Sequence, residues 1–359
     1  MLQGAEAAVH QLRVVEAEHW LAGRRAAGLC ACGHLGRDAT PPHAVQQCPQ
    51  RNAGKRTMGA AGSGDQAQLC GFLVLNKPSG LSSHACVSQV RRAYGLRRVG
   101  HGGTLDPAVT GVLPIALGPA TRLLPYLSGT KAYRGVIQLG LTTASDDLEG
   151  EVLERRPLPS LARSDLDQAL ESFRGTIAQR PPQVSAVHVN GERAYARVRR
   201  GEQLELAPRN VTIHDLELLS WEPDSGQLDL AVRCSAGTYI RSLARDLGEQ
   251  LGCGGCLASL QRTEALGFNL VQAVPLEMLQ QQPAPALINP LEALADLPRH
   301  QLSEADLLGW RCGRPQQTTA PLAADCAVVV VGPDGNLAGM ASARSDGQLQ
   351  PRLVLQAAG

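Results

Sequence analysis

Residues 99–114, VGHGGTLDPAVTGVLP, contain a single acid, Asp106. A His-Gly-Gly turn precedes it and a proline follows, a composition that marks a tight loop whose backbone approaches something closely. One carboxylate can act as a nucleophile or as a base, and its power rests on position and a dry surrounding more than on number. A carboxylate withdrawn from water tends to take up a proton, so Asp106 needs a cationic partner from elsewhere in the chain. Hydrolysis of the glycosidase type would want a second, opposed acid, and this segment supplies none. Thiols offer a different chemistry. Cys30, Cys32 and His34, with His43 and Cys48 behind them, are spaced C-x-C rather than C-x-x-C; Cys253 and Cys256 have the C-x-x-C spacing but no second pair at finger distance. The sequence is therefore read as holding no metal.

The elements that must position such a loop flank it on both sides. GFLVLNKPSG (71–80) is a short apolar strand ending in a Pro/Gly turn, and SSHACVSQVRRAYG (82–95) is a helix with Ser82 or Ser83 as its cap. KAYRGVIQLGLTT (131–143) alternates as a strand does, and SDLDQALESFRG (164–175) is a capped amphipathic helix. Residues 211–252 give strand, hairpin, strand and then a helix over 240–251. Helices and strands mix without the strict alternation of a doubly wound sheet, which predicts an α+β fold. PAPALINPLEALADLP (283–298) is a proline-bounded connector, and the short strands after it predict a small β-barrel of about sixty residues.

A chain of 359 residues can bury more than one core, and 43% hydrophobic against 19% charged residues suits a globular protein. The longest apolar run, CAVVVV (326–331), falls far short of the ~18 residues a membrane span needs. Ten cysteines without a secretory signal pattern point to reduced thiols and a cytoplasmic setting. The net charge is only +1, but arginines cluster: seven lie between 174 and 209, and four lie in RRAYGLRR (91–98). Such clusters either bind phosphates or form a solvated face. Residues 1–57 are Ala-rich with scattered His and Cys, contain no serine, and show a helical pattern only over 10–25. They read as disorder, an appended or mis-started extension ahead of Met58 with no catalytic role.

Four segments taken in order, LNKPSGLSS (75–83), GHGGTLDPAVTGVLP (100–114), KAYRG (131–135) and CSAGTYIRSLARDLG (234–248), resemble the TruB family of tRNA pseudouridine-55 synthases. The resemblance implies the α+β pseudouridine synthase fold, a mixed and mainly antiparallel sheet flanked by helices, with a small C-terminal PUA-like β-barrel. It divides the chain into an N-terminal extension (1–68), a catalytic domain (69–292) with an RNA-clamping insertion at 174–209, and a PUA-like RNA-binding domain (293–359). It also implies isomerisation of uridine 55 in the T-loop of tRNA, with no cofactor, by a monomer that needs the T-arm stem-loop but no obligatory protein partner.

By the same resemblance, Asp106 is the catalytic acid and Arg241 the arginine paired with it, expected as a bidentate fork. Tyr133 stacks on the flipped base, its hydroxyl assisting proton removal from C5, while Leu260 packs over that base. His101 enters the space the flipped nucleotide leaves. Lys77, in the K-P element, and Tyr239 lie beside the pocket, and Arg197 and Arg199 in the insertion contact RNA. The chain departs from the family pattern at Val184, where tyrosine is usual, at His188, where lysine is usual, and at Ala144, where aspartate is common; Asp147 is retained and Val109 replaces an alanine. A non-catalytic tRNA-binding or folding factor on the same scaffold is the alternative. A guide-RNA-dependent relative is a further one, against which the arginine-rich insertion speaks.

Overall fold

The computed structural model describes residues 69–355, apart from 186, 190, 199, 203, 205 and 319. The extension, its helical stretch at 10–25, the Cys30, Cys32 and His34 grouping and Arg199 lie outside the described residues.

A ten-stranded sheet carries the chain's larger part. Its first strands are β1 (Gly71–Lys77), β2 (Val99–His101), β3 (Thr110–Leu117) and β4 (Lys131–Leu139), and the hairpin β5 (Leu141–Thr143) with β6 (Val152–Arg155) leaves it to form a sheet of two. The strand expected over 131–143 thus breaks at Gly140, whose φ of 80° turns the chain out of the large sheet. Next come β7 (Gly175–Gln179), the small hairpin β8 (His188–Val189) and β9 (Glu192–Arg193) in the insertion, and the long hairpin β10 (Arg209–Glu222) and β11 (Gln227–Cys234). β12 (Gly255–Ala265), β13 (Phe268–Asn269) and β14 (Val274–Pro275) complete the set, in the order β14-β1-β3-β12-β4-β11-β10-β7, with β2 on β3 and β13 on β12.

Both faces of this sheet are covered, which is why β1 and β3 read as nearly continuous apolar runs. Leu73, Leu75, Leu113, Ile115 and Ile137 point into one core, under helices α1 (Ser83–Ala93), α2 (Arg163–Glu171) and, after the short α3 (Ala194–Val198), α4 (Ile240–Gln250). Ser82 caps α1 by accepting from Ala85 N at 3.1 Å, a bond worth ~1 kcal/mol. The alternate residues Phe72, Val74, Val112 and Ala116 point into a second core, shared with Val329, Val331, Met340 and Leu353. Those four belong to a curled C-terminal sheet entered through the short helix α5 (Pro290–Ala293). That sheet consists of β15 (Arg299–Gln301), β16 (Gln316–Gln317), β17 (Ala327–Val331), β18 (Leu337–Ala343) and β19 (Gln348–Val354), ordered β15-β17-β18-β19-β16. Helix α6 (Glu304–Arg311) closes its far side by burying Trp310, whose indole donates to the Ala338 carbonyl at 3.0 Å. Among the described residues no helix is long and apolar enough to cross a membrane.

Candidate active site

The site is built on a gap in the sheet. Along one edge of β3, β12 pairs only at Thr110 and Gly111, and β2 only from Ile115 to Leu117. Gly111, at φ 101°, must be glycine, because a Cβ there would stand 2.2 Å from the Arg262 carbonyl oxygen. Between the two pairings the β3 backbone finds other partners: Gly102 N donates to the Pro114 carbonyl at 2.8 Å, and Arg262 Nε to that of Val112 at 2.8 Å. N–H and C=O of one strand residue point to the same side, so the donor that Pro114 lacks would have faced this gap, where no ladder bond is lost.

The loop 102–109 crosses the gap with its main chain tied down on both sides of Asp106. Ser83 Oγ bonds both backbone groups of Leu105, at 2.8 and 3.0 Å. The Pro107 carbonyl accepts from Gly80 N at 2.9 Å and from Lys77 Nζ at 2.9 Å. Arg262 reaches the carbonyls of Gly103 at 3.1 Å and Thr104 at 3.4 Å. With its neighbours fixed, Asp106 presents its carboxylate in a defined place without burying it: the side chain is 47% exposed.

Arg241, in the first turn of α4, lies beneath that carboxylate with a side chain only 8% exposed, its Nη2 2.9 Å from Asp106 Oδ2. The rest of the guanidinium is shared out. Nη1 donates to the Ser145 carbonyl at 2.9 Å and lies 3.5 Å from Asp147 Oδ2, and Nη2 also donates to the Val184 carbonyl at 3.0 Å. This corrects two expectations. The fork is not given over to Asp106 as a bidentate pair, because a buried guanidinium with five donors must satisfy all of them. Asp106 is also not dry here; half its surface meets solvent, so exclusion of water falls to whatever binds over it. Asp147 is locked in turn by Ser145 Oγ and by Glu149 N at 3.2 Å. The neighbouring Asp146, at φ 60°, is anchored by Arg245 Nη1 at 2.8 Å, one helical turn beyond Arg241.

Tyr133 sits on β4 directly opposite Arg262 on β12, and Leu260, two residues before Arg262, shares that face and pairs with Gly135. A Cβ at Gly135 would stand 2.9 Å from Leu260 Cδ1, so glycine makes room for the leucine. Burial pushes the Tyr133 phenol above its usual range, against the Arg262 guanidinium to which it is hydrogen-bonded and which pulls it down. The hydroxyl therefore keeps its proton at neutral pH. Arg262 is fully buried and burial pulls its own pKa down. His101, at the end of β2, accepts from Gly103 N at 3.3 Å and is pushed down by burial, by Arg262 and by His84. Lys77 is fully buried, and its three donors go to the carbonyls of Pro78, Leu81 and Pro107, so its ammonium braces the loop rather than facing the cleft. Tyr239 caps α4 through its backbone, which the buried Gln179 amide clasps at both groups, at 2.8 and 3.0 Å. Arg197 is paired with Glu202 at 2.6 Å within the insertion.

The loop thus meets Arg241 through Asp106, His101 through Gly103 and, through Arg262, the strand pairing that holds Tyr133 and Leu260, whereas Lys77 and Arg197 turn to partners of their own. Arg262, Ser83, Gln179 and a structural role for Asp147 were missed from the sequence. Alternation along a strand offered a signal for one of them: if Leu260 faces the site, Arg262 two residues on must face it too. Among the described residues no group of three or more His, Cys, Asp or Glu could hold a metal ion.

Residues 91–240 match the TruB family pseudouridylate synthase N-terminal domain and residues 241–295 the tRNA pseudouridylate synthase B C-terminal domain. A protein of Parasynechococcus marenigrum (strain WH8102) called tRNA pseudouridine synthase B is 64% identical over 289 residues, covering 80% of this chain and 98% of that protein. Its namesake in Synechococcus sp. (strain WH7803) is 60% identical over 296 residues with the same coverage. The fold is shared with a solved H/ACA RNP bound to a substrate RNA containing 2′-deoxyuridine, at a TM-score of 0.60 and 22% identity over 79% of this chain and 84% of that one. Identity at this level across nearly the whole length of two relatives means that the chain belongs to the TruB family of pseudouridylate synthases.

Proposed function

We propose that this chain converts uridine 55 in the T-loop of tRNA to pseudouridine, with Asp106 as the catalytic group. One observation carries the reading: a half-exposed carboxylate on a braced loop, 2.9 Å from a buried guanidinium, beside a buried tyrosine face. The relatives named tRNA pseudouridine synthase B support the substrate class. In the reaction the N1–C1′ bond breaks, the uracil turns, and a C5–C1′ bond forms. The proton lost from C5 is balanced by one gained at N1, so no oxidant, cofactor or net water enters. Asp106, held 2.9 Å from Arg241 Nη2, is the group that attacks or abstracts a proton. The Tyr133 ring replaces the stacking that the base loses on flipping out.

On this reading 69–292 is the catalytic domain, 174–209 closes over the T-arm stem-loop, and 293–359 is an RNA-binding domain. The protein works in the cytoplasm as a monomer without an obligatory protein partner.

The test is Asp106→Asn on a T-arm stem-loop transcript. Pseudouridine formation should vanish while RNA affinity stays within several-fold of wild type. Turnover by the variant would remove Asp106 from the mechanism, and modification by wild type at another uridine would overturn the position. A wild-type protein that binds tRNA but forms no pseudouridine would be the folding factor instead.

A further inference from the structure

We infer that Arg245 is a positioning residue for the reaction: it locks the turn that carries Asp147 and the first limb of the insertion onto α4, and so holds Arg241 beneath Asp106. This rests on the reading of Asp106 as the catalytic group. Arg241 and Arg245 stand four residues apart on one face of α4. Their partners come from the same two segments. In the turn between β5 and β6, Arg241 donates to the Ser145 carbonyl at 2.9 Å and lies 3.5 Å from Asp147, while Arg245 donates to the residue between them, Asp146, at 2.8 Å. In the first limb of the insertion, Arg241 donates to the Val184 carbonyl at 3.0 Å and Arg245 to the Arg180 carbonyl at 2.9 Å. Ser242 Oγ donates to that same Arg180 carbonyl at 2.8 Å, next to the Gln179 amide that clasps the Tyr239 backbone.

A third partner tells the two arginines apart. Arg241 reaches Asp106, whereas Arg245 turns to its own neighbour in the helix, Asp246, through Nη2 at 2.7 Å and Nε at 2.9 Å. All three nitrogens of the Arg245 guanidinium are thus engaged away from the reacting group. The residue lies on the wall of a cavity of about 590 Å³ with Thr143, Arg180, Gln183, Asp246 and Glu249, and none of the residues lining that cavity belongs to the Asp106 loop. Any effect of Arg245 on the chemistry must therefore pass through Arg241.

The turn needs this clasp. Asp146 sits at φ 60°, in the left-handed region that a residue other than glycine keeps only where its surroundings hold it. Its carbonyl is pinned by Leu257 N at 2.9 Å, and its side chain, 14% exposed, is pinned by Arg245. Burial pushes the Asp146 carboxyl up while the Arg245 guanidinium pulls it down, so removal of that cation favours a neutral acid and frees the turn. A freed turn carries the Ser145 carbonyl and Asp147 away from Arg241, and a freed Arg180 loosens the limb that brings the Val184 carbonyl. Arg241 Nη2 serves Val184 and Asp106 together, so its aim at the carboxylate depends on both segments. A misplacement of ~1 Å in such a site is worth up to ~10²-fold in rate.

The experiment uses the full chain and a T-arm stem-loop transcript under single-turnover conditions. Arg245→Gln should slow pseudouridine formation ~30-fold at saturating RNA and leave RNA affinity within about twofold. Arg245→Lys, which can reach Asp146 or the Arg180 carbonyl but not both, should recover part of the rate. In an Arg241→Gln background, Arg245→Gln should cost no further rate, yet should still lower the urea midpoint. Equal rate losses in the two backgrounds, an affinity loss as large as the rate loss, or a lower urea midpoint at unaltered rate would each overturn the proposal. Should Arg245→Gln not fold, Asp146→Asn carries the same test with an expected loss of ~10-fold, since asparagine tolerates the left-handed backbone. A readout independent of turnover separates this inference from the functional reading. The Arg241 guanidinium N–H signals, identified by NMR through their absence in Arg241→Gln, should shift and exchange faster with water in Arg245→Gln; unmoved signals would sink the inference. If they moved while wild type formed no pseudouridine, the functional reading would fail and the placement of Arg241 by Arg245 would stand.

Discussion

Two guanidiniums are buried in the site, and they are satisfied in opposite ways. Arg241 meets carboxylates, Asp106 at 2.9 Å and Asp147 at 3.5 Å, besides two carbonyls. Arg262 meets the carbonyls of Gly103, Thr104 and Val112 and the Tyr133 hydroxyl, with no acid paired to it among the described residues. Pairing confines the first charge, whereas the second reaches its neighbours: Arg262 pushes down both His101 and Lys131 and opposes the rise of the Tyr133 phenol. One cation holds the Asp106 carboxylate in place. The other closes a gap in a sheet and, having no counter-ion, lends the cleft a positive field suited to a phosphate-bearing ligand.

If that division is right, substitutions should separate activity from stability. Arg241→Gln keeps hydrogen-bond donors near Ser145 and Val184 but removes the charge under Asp106. Single-turnover pseudouridine formation should fall ~10³-fold, equivalent to ~4 kcal/mol, with only a small move of the urea midpoint. Arg262→Gln should do the reverse. Three carbonyls of the catalytic loop and β3 lose a donor at a buried position, each worth ~1–3 kcal/mol, offset in part by relief of the buried charge. A net destabilisation of ~2–4 kcal/mol is expected, read as a lower urea midpoint at an unchanged slope. A greater stability loss in Arg241→Gln than in Arg262→Gln would break the comparison.

Asp147→Asn sharpens it at smaller cost. The amide keeps the turn's shape and removes one of the two charges on Arg241, so turnover should drop ~10-fold. In an Arg241→Gln background the same change should cost nothing more, because its effect passes through the guanidinium. Additive losses in that double-mutant cycle would show that Asp147 acts by another route.

The contrast also marks how far the sequence could be read. Asp106, Tyr133 and Arg241 stood in motifs whose order carried them, and the strand, cap and helix around 71–93 follow from a short apolar run, a Pro/Gly turn and a serine. The strand Thr110–Leu117 was not legible: its proline and glycine argue against a strand, and they are tolerated only because β2 and β12 leave part of its edge unpaired. Arg262 went unseen for the same reason, since its role exists only once that gap does. For Lys77 a structural role beside the site was legible from the K-P element, but nothing local foretells that three carbonyls from two loops will converge on its ammonium. For the arginines of 174–209, the pairing of Arg197 and Arg200 with glutamates was visible in the sequence only as a ratio of charges.

The smallest effect is the most direct probe of the uncompensated charge. His101 is held below its ordinary value of about 6.5, by burial first and then by Arg262 and His84. The unfolded chain therefore binds this proton more readily than the folded one. The stability His101 contributes is whole above about pH 6.5 and is lost as the pH falls below it. Arg262→Lys keeps the charge, and the His101 resonance followed by NMR should titrate nearly as in wild type. Arg262→Gln removes it, so the titration should move up toward the ordinary value and the acid loss of stability should soften. Arg241→Gln, although it also removes a buried guanidinium, should leave His101 where it was, because that charge is already met by Asp106 and Asp147. Equal shifts in the two glutamine variants would mean that both fields reach the histidine, and the difference drawn between a paired and an unpaired cation would no longer hold.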